Sequence, residues 1–148
     1  DLNTEDKDFI LNESKKAEKK LKQYIEEIKL EYKLKNSNIC ISGFSQGCMM
    51  SINVGLTSSE SFNCIVGFSG KIIDKNDLSS RIKVKTNILM VHGELDPIVP
   101  PNNLLDAKDF FIRHKINVDT LMIKNCDHHI PIEASSAALN FIKKNLVN

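Results

Sequence analysis

Residues 38–50 read NICISGFSQGCMM, an apolar run that turns through Gly43-Phe44-Ser45-Gln46-Gly47 into a segment with helical periodicity. A short, β-branched run of nearly continuous apolar character is what a strand buried on both faces of a parallel sheet looks like. A serine on the sharp turn from such a strand into a helix has strained dihedrals, and side chains two residues to either side would collide. Glycines at 43 and 47 remove that collision. The helix N-terminus that follows favours negative charge developing at Ser45, and the Gln46 backbone N–H is placed as an oxyanion donor. A glycine-lined structural turn would need neither the strand before nor the helix after.

Working outward, three more runs share the character of residues 38–44: residues 62–69 (FNCIVGFS), 87–92 (NILMVH) and 118–123 (VDTLMI). Between and after them, residues 46–57, 103–115 and 132–146 have helical periodicity, carried for example by Leu104, Ala107 and Phe111 and by Ala134, Ala138, Phe141 and Ile142. Upstream, residues 12–34 predict an amphipathic helix with Ala17, Leu21, Tyr24, Ile25, Ile28 and Tyr32 on one stripe, Asn12 or Ser14 as its cap, and its Lys and Glu residues solvated. Alternating strands and helices imply right-handed crossovers and an α/β class: an open parallel sheet with flanking helices. No Pro/Gly/Ser-rich linker divides the chain, so residues 1–148 are expected to form one domain, long enough to bury a core.

Composition narrows the function classes. The chain has 148 residues with 20 basic and 19 acidic side chains, a net charge of +1 that gives no electrostatic case for nucleic acid or an acidic membrane surface. No window approaches the roughly 18 apolar residues of a membrane span, and residues 1–20 lack the apolar core of a secretory signal. Cys40, Cys48, Cys64 and Cys126 show no CxxC pairing and fall in or beside apolar runs. That usage predicts reduced, mostly buried thiols in a cytoplasmic protein, with neither a disulfide framework nor a metal site. No cofactor is implied.

In open parallel sheets chemistry collects at the carboxyl ends of the strands. After the third run comes His92-Gly93-Glu94-Leu95-Asp96-Pro97-Ile98-Val99-Pro100, where Asp96 in a proline-fixed loop suits the orienting of a histidine. After the fourth comes Cys126-Asp127-His128-His129-Ile130-Pro131, where either histidine can reach back along the sheet edge. The serine, acid and histidine follow the Ser…Asp…His order of α/β-hydrolases, each after a strand. Met49 and Met50 read as core, His92 as support for the strand end, and His114 as helix surface.

The stretches ISGFSQGCMM, VHGELDPIVP and HHIPIEA, and the spacing between them, resemble the carboxylesterase/lysophospholipase family that includes acyl-protein thioesterases, a small lidless branch of the α/β-hydrolase fold. The family pattern sets Ile two residues and Glu five residues after the catalytic histidine. Ile130 and Glu133 therefore select His128 over His129. The resemblance likewise implies Ser45 as nucleophile and Asp96 as the acid. It implies a serine esterase or thioesterase acting on a small-molecule ester or an acylated substrate through an acyl-enzyme. Where the family has a second glycine after the elbow this chain has Cys48, a change expected to crowd the helix packing.

The resemblance covers essentially the whole chain but only the later part of the family's domain. Family members carry earlier strands and a His-Gly-rich loop that supplies the other oxyanion donor, whereas the first glycine here is Gly43. Only the later four strands are therefore expected, with an unpaired edge at residues 38–44 through which the chain would form homo-oligomers or aggregate. A rival expectation follows: a catalytically impaired fragment, acting if at all as a binding or assembly partner. Ile72 and Ile98, in loops near Ser45 and Asp96, are candidate substrate-binding residues lining an acyl pocket.

Overall fold

The computed structural model describes residues 4–147. Four strands, β1 (Cys40–Phe44), β2 (Cys64–Phe68), β3 (Ile88–Gly93) and β4 (Val118–Ile123), form one parallel sheet in the order β1-β2-β3-β4. Helices α1 (Thr4–Tyr32), α2 (Gln46–Thr57), α3 (Lys75–Arg81), α4 (Asn102–Arg113) and α5 (Ile132–Val147) precede, connect and follow the strands, with one 3-10 turn at Asn36–Asn38.

Side chains alternate across the sheet, so the two faces have separate cores. On one face Ile65, Ile88 and Met90 meet Cys48, Ile52 and Leu56 of α2 and Leu104 and Phe111 of α4. On the other, Val66, Phe68, Leu89 and Val91 meet Ala134 and Ala138 of α5. Every residue of β2 and β3 is buried, as strands covered on both faces require. The edge strand β1 is half-exposed, and its outer side has no partner strand among the described residues.

Three expectations are corrected. The first helix begins by Thr4 and continues unbroken, so neither Asn12 nor Ser14 caps it; Ser14 Oγ donates instead to the Leu11 carbonyl inside the helix. The stripe is also rotated, leaving Leu21, Tyr24 and Tyr32 exposed by 39%, 60% and 69%. The physical reason is a polar anchor: buried Glu18 pairs with Arg81 at 2.8 Å and Lys22 at 3.1 Å and accepts the Thr57 hydroxyl at 2.9 Å. Burial alone would push the Glu18 carboxyl up, but Arg81, Lys22 and Thr57 outweigh it and hold the group below the usual carboxylate range. Glu18 is thus not part of a solvated face.

Helix α3 lies outside the segments the apolar pattern predicts as helical, because it buries one residue, Leu78. Its signals are polar: Asp74 caps the start by accepting from the Asp77 N–H at 2.8 Å, and Arg81 pairs back to Asp77 one turn earlier at 2.7 Å. The four cysteines are free thiols. Cys40 stands opposite Cys64 in register, and contact between the two thiols pushes Cys64 up. Cys48 fills space where Gly67 and Gly70 carry no side chain, so the helix accepts it; burial raises that thiol to about 12.

Candidate active site

The serine turn has the backbone its sequence implies. Ser45 lies between β1 and α2 with φ 54° and ψ −115°, a conformation rare for a residue with a side chain. The turn is held from the neighbouring strand, where Ser45 N–H donates to the Phe68 carbonyl at 2.8 Å. The same stitch repeats past the next two strands, as Ser69 N–H donates to Val91 at 2.9 Å and Glu94 N–H to Ile123 at 2.9 Å.

The glycine requirement proves one-sided. A Cβ on Gly43 would sit 2.2 Å from the Gly47 carbonyl carbon, whereas one on Gly47 meets nothing within 4 Å. The tight approach of strand end to helix start is thus made possible by Gly43. Gln46 opens α2 directly after Ser45, so its N–H is among those with no intrahelical acceptor.

Asp96 lies in the loop after β3 and is 4% exposed. Its Oδ1 accepts from the Ile98 and Val99 N–H groups at 2.8 and 2.9 Å, and its Oδ2 accepts from His128 Nδ1 at 2.7 Å. Burial pushes the Asp96 carboxyl up, but the His128 bond and the two backbone donors prevail and hold it below the usual range. His128 follows β4, and its Nε2 lies 3.0 Å from Ser45 Oγ. A carboxylate only accepts, so Nδ1 carries the ring proton and Nε2 is free to take the serine proton. The Phe44 ring packs beside the imidazole, centroids 4.7 Å apart.

The two loops are brought together by backbone. Leu95 N–H donates to the Cys126 carbonyl at 2.8 Å, and Gly93 leaves room for that approach, since a Cβ there would lie 2.3 Å from the Asp127 carbonyl oxygen. His129, the rejected alternative, is exposed and pairs with Asp127, which therefore does not compete for His128.

Of the two residues expected to line an acyl pocket, Ile98 is 67% exposed beside Asp96, but Ile72 is 8% exposed and belongs to the core cluster with Cys48 and Leu78. The expectation for Ile72 is corrected: a loop isoleucine next to an apolar helix face is drawn inward. Met50 is buried as expected, and Met49 half-buried. Sequence reasoning missed the packing of Phe44 on His128, although its place beside the serine could have suggested it. Among the described residues no group of three or more His, Cys, Asp or Glu could hold a metal ion. No helix among them is long and apolar enough to cross a membrane.

An open parallel sheet with a strained serine after its first strand, an acid after its third and a histidine after its fourth defines an α/β-hydrolase architecture. Residues 1–146 match the phospholipase/carboxylesterase family, and the chain belongs to that family. Acyl-protein thioesterase 1 of Saccharomyces cerevisiae is 32% identical over 147 residues, 95% of this chain and 62% of the relative. Acyl-protein thioesterase 1 of Yarrowia lipolytica is 29% identical over 115 residues, 74% of this chain and 51% of the relative. Among solved structures, esterase PE8 superimposes with a TM-score of 0.86 at 27% identity, covering 88% of this chain and 61% of that one. Arabidopsis thaliana SOBER1 shares the fold, with a TM-score of 0.79 at 21% identity over 93% of this chain and 64% of that one. The chain spans less than two thirds of the length of each of these relatives.

Proposed function

We propose that this chain is a serine hydrolase of carboxylic esters or thioesters, working as one domain through Ser45, His128 and Asp96. The observation that carries the reading is the unbroken hydrogen-bond chain from Ser45 Oγ through His128 to buried Asp96, at 3.0 and 2.7 Å. In this mechanism Ser45 Oγ attacks the acyl carbonyl carbon while His128 Nε2 takes the hydroxyl proton. The carbonyl oxygen becomes an oxyanion held by the Gln46 N–H. Collapse of the tetrahedral species expels an alcohol or thiol, which receives the proton from His128. Water then attacks the acyl-enzyme with the same imidazole as base, freeing the acid and Ser45. Asp96 keeps the proton on Nδ1 and stabilises the imidazolium. No metal or organic cofactor takes part.

Small esters or acylated molecules are the proposed substrates, with Ile98 touching the acyl chain; nucleic acid is not, given the charge of +1. The proposed location is the cytoplasm, supported by the free thiols. Self-association through the half-exposed β1 edge is also proposed, and a monodisperse monomer in light scattering at micromolar concentration would overturn it.

One test of the hydrolase reading is intact-mass analysis after treatment with a fluorophosphonate. A single adduct in the wild type, absent from Ser45→Ala and His128→Ala, is expected. Folded wild type that takes no adduct overturns the reading in favour of the rival, an impaired chain that binds or assembles.

A further inference from the structure

Asp96 is held in place by more than the chain on either side of it. The loop that carries it is open to solvent at Glu94, Leu95, Pro97 and Ile98, while Asp96 and Val99 are buried. Those two buried residues are the ones that meet His92. His92 belongs to β3, the strand flanked by β2 and β4, and is 1% exposed. Its Nε2 lies 2.8 Å from the Val99 carbonyl oxygen and 3.4 Å from Asp96 Oδ2. Val99 N–H in turn donates to Asp96 Oδ1 at 2.9 Å, closing a ring from His92 through Val99 to Asp96.

The protonation pattern follows from the partners. A carbonyl only accepts, so His92 Nε2 must carry a proton. His92 Nδ1 is buried with no hydrogen-bond partner, and a bare lone pair there costs less than an unpaired N–H. His92 is therefore the Nε2–H tautomer, donating to the Val99 carbonyl with Asp96 Oδ2 in contact 3.4 Å away. The titratable groups that face Asp96 are His92 from the end of β3 and His128 and Cys126 from the loop after β4. Of these, His92 ties the acid to the middle of the sheet.

We propose that His92 is a positioning residue for the Asp96–His128 pair, its Nε2–H gripping the Val99 carbonyl and the rim of Asp96 so that Oδ2 stays aimed at His128. This rests on the hydrolase reading above. Phenylalanine at 92 fills the space without the donor, and glutamine restores an N–H close to the Nε2 position.

The test compares wild type, His92→Phe and His92→Gln by the rate of fluorophosphonate labelling across pH, and by 15N-histidine NMR. His92→Phe is expected to label about 10²-fold more slowly, the size of loss a misplaced catalytic group brings. Its pH profile is expected to differ from that of the wild type, because His128 is then less well paired with Asp96. His92→Gln is expected to recover most of the rate and the wild-type profile. Folded His92→Phe with wild-type rate and profile overturns the proposal. So does NMR of the wild type showing His92 protonated on Nδ1 alone, a measurement that holds even if His92→Phe fails to fold. A wild type that is not labelled brings down the hydrolase reading instead. The His128 titration in the same spectra, shifted or not by His92→Phe, then decides the positioning without turnover.

Discussion

Among the described residues there are two serine–histidine hydrogen bonds, and the shorter one is not at the proposed active site. Ser79 Oγ lies 2.8 Å from His114 Nε2, against 3.0 Å for Ser45 and His128. His114 Nδ1 even has a partner, the Phe110 carbonyl at 2.8 Å, so both imidazoles present Nε2 as the acceptor. The differences lie behind and around the pair. His128 is backed by a buried carboxylate that can stabilise an imidazolium, whereas His114 is backed by a neutral carbonyl and stacks on the Phe110 ring. Ser45 stands at the positive end of a 12-residue helix in a strained turn; Ser79 lies exposed within the seven-residue α3. A serine beside a histidine is thus common chemistry. Charge behind the ring and a helix N-terminus beside the serine are what set the proposed pair apart.

That contrast can be broken or sharpened, beginning with the largest effect. Ser45→Ala should abolish the fluorophosphonate adduct while Ser79→Ala leaves it in full, as read by intact mass. Asp96→Asn should slow labelling by about 10⁴-fold, because an amide can favour the wrong tautomer of His128; His114→Gln should change it less than about twofold. Gly43→Ala should destabilise the fold by about 3 kcal/mol, since its new Cβ would lie 2.2 Å from Gly47 backbone. Gly47→Ala should be neutral or stabilising by up to about 1 kcal/mol in urea titration, since Cβ there meets open space.

Glu18→Gln loosens α3, and with it the Ser79 site, by breaking the buried pair with Arg81. It should cost about 3 kcal/mol yet leave the labelling rate of folded protein unchanged. The same group governs acid stability. Glu18, Asp77 and Asp96 are held below the usual carboxylate range in the folded chain. The unfolded chain therefore binds protons first as pH falls, so their stabilisation is complete above about pH 4–5 and lost as pH drops through the folded-state values. Thermal melts from pH 7 to 3 should show Tm falling in acid, and Glu18→Gln should flatten that fall.

What could be read in advance follows from burial. Strands β2 and β3 are covered on both faces, so their apolar runs announce them, and the serine turn, Asp96 and the histidine loop fall where strand ends demand. The choice of His128 over His129 came from resemblance; in space it follows from His129 pairing with Asp127 at the surface. Elements fixed by polar contacts were harder. The face of α1 is set by Glu18 and Lys22, not by its apolar stripe, and α3 rests on Asp74, Asp77 and Arg81 around a single buried leucine. Periodicity records apolar burial, and an ion pair between distant segments leaves no trace in it. Ile72 and Gly47 were misread for another reason. A motif fixes the local path of the chain, but which side of a turn is crowded depends on what packs against it from elsewhere.

The backbone stitches beyond the strand ends, Ser45 to Phe68, Ser69 to Val91 and Glu94 to Ile123, give the site a clock. Each ties the start of one loop to the neighbouring strand, so no loop can fray alone without loosening the sheet beside it. Amide protons at these three positions should exchange with solvent together, at the pace of opening of the sheet itself. A scaffold wired in this way keeps Ser45, His128 and Asp96 assembled, and the time for which they stay assembled is set by the slowest-opening part of the protein.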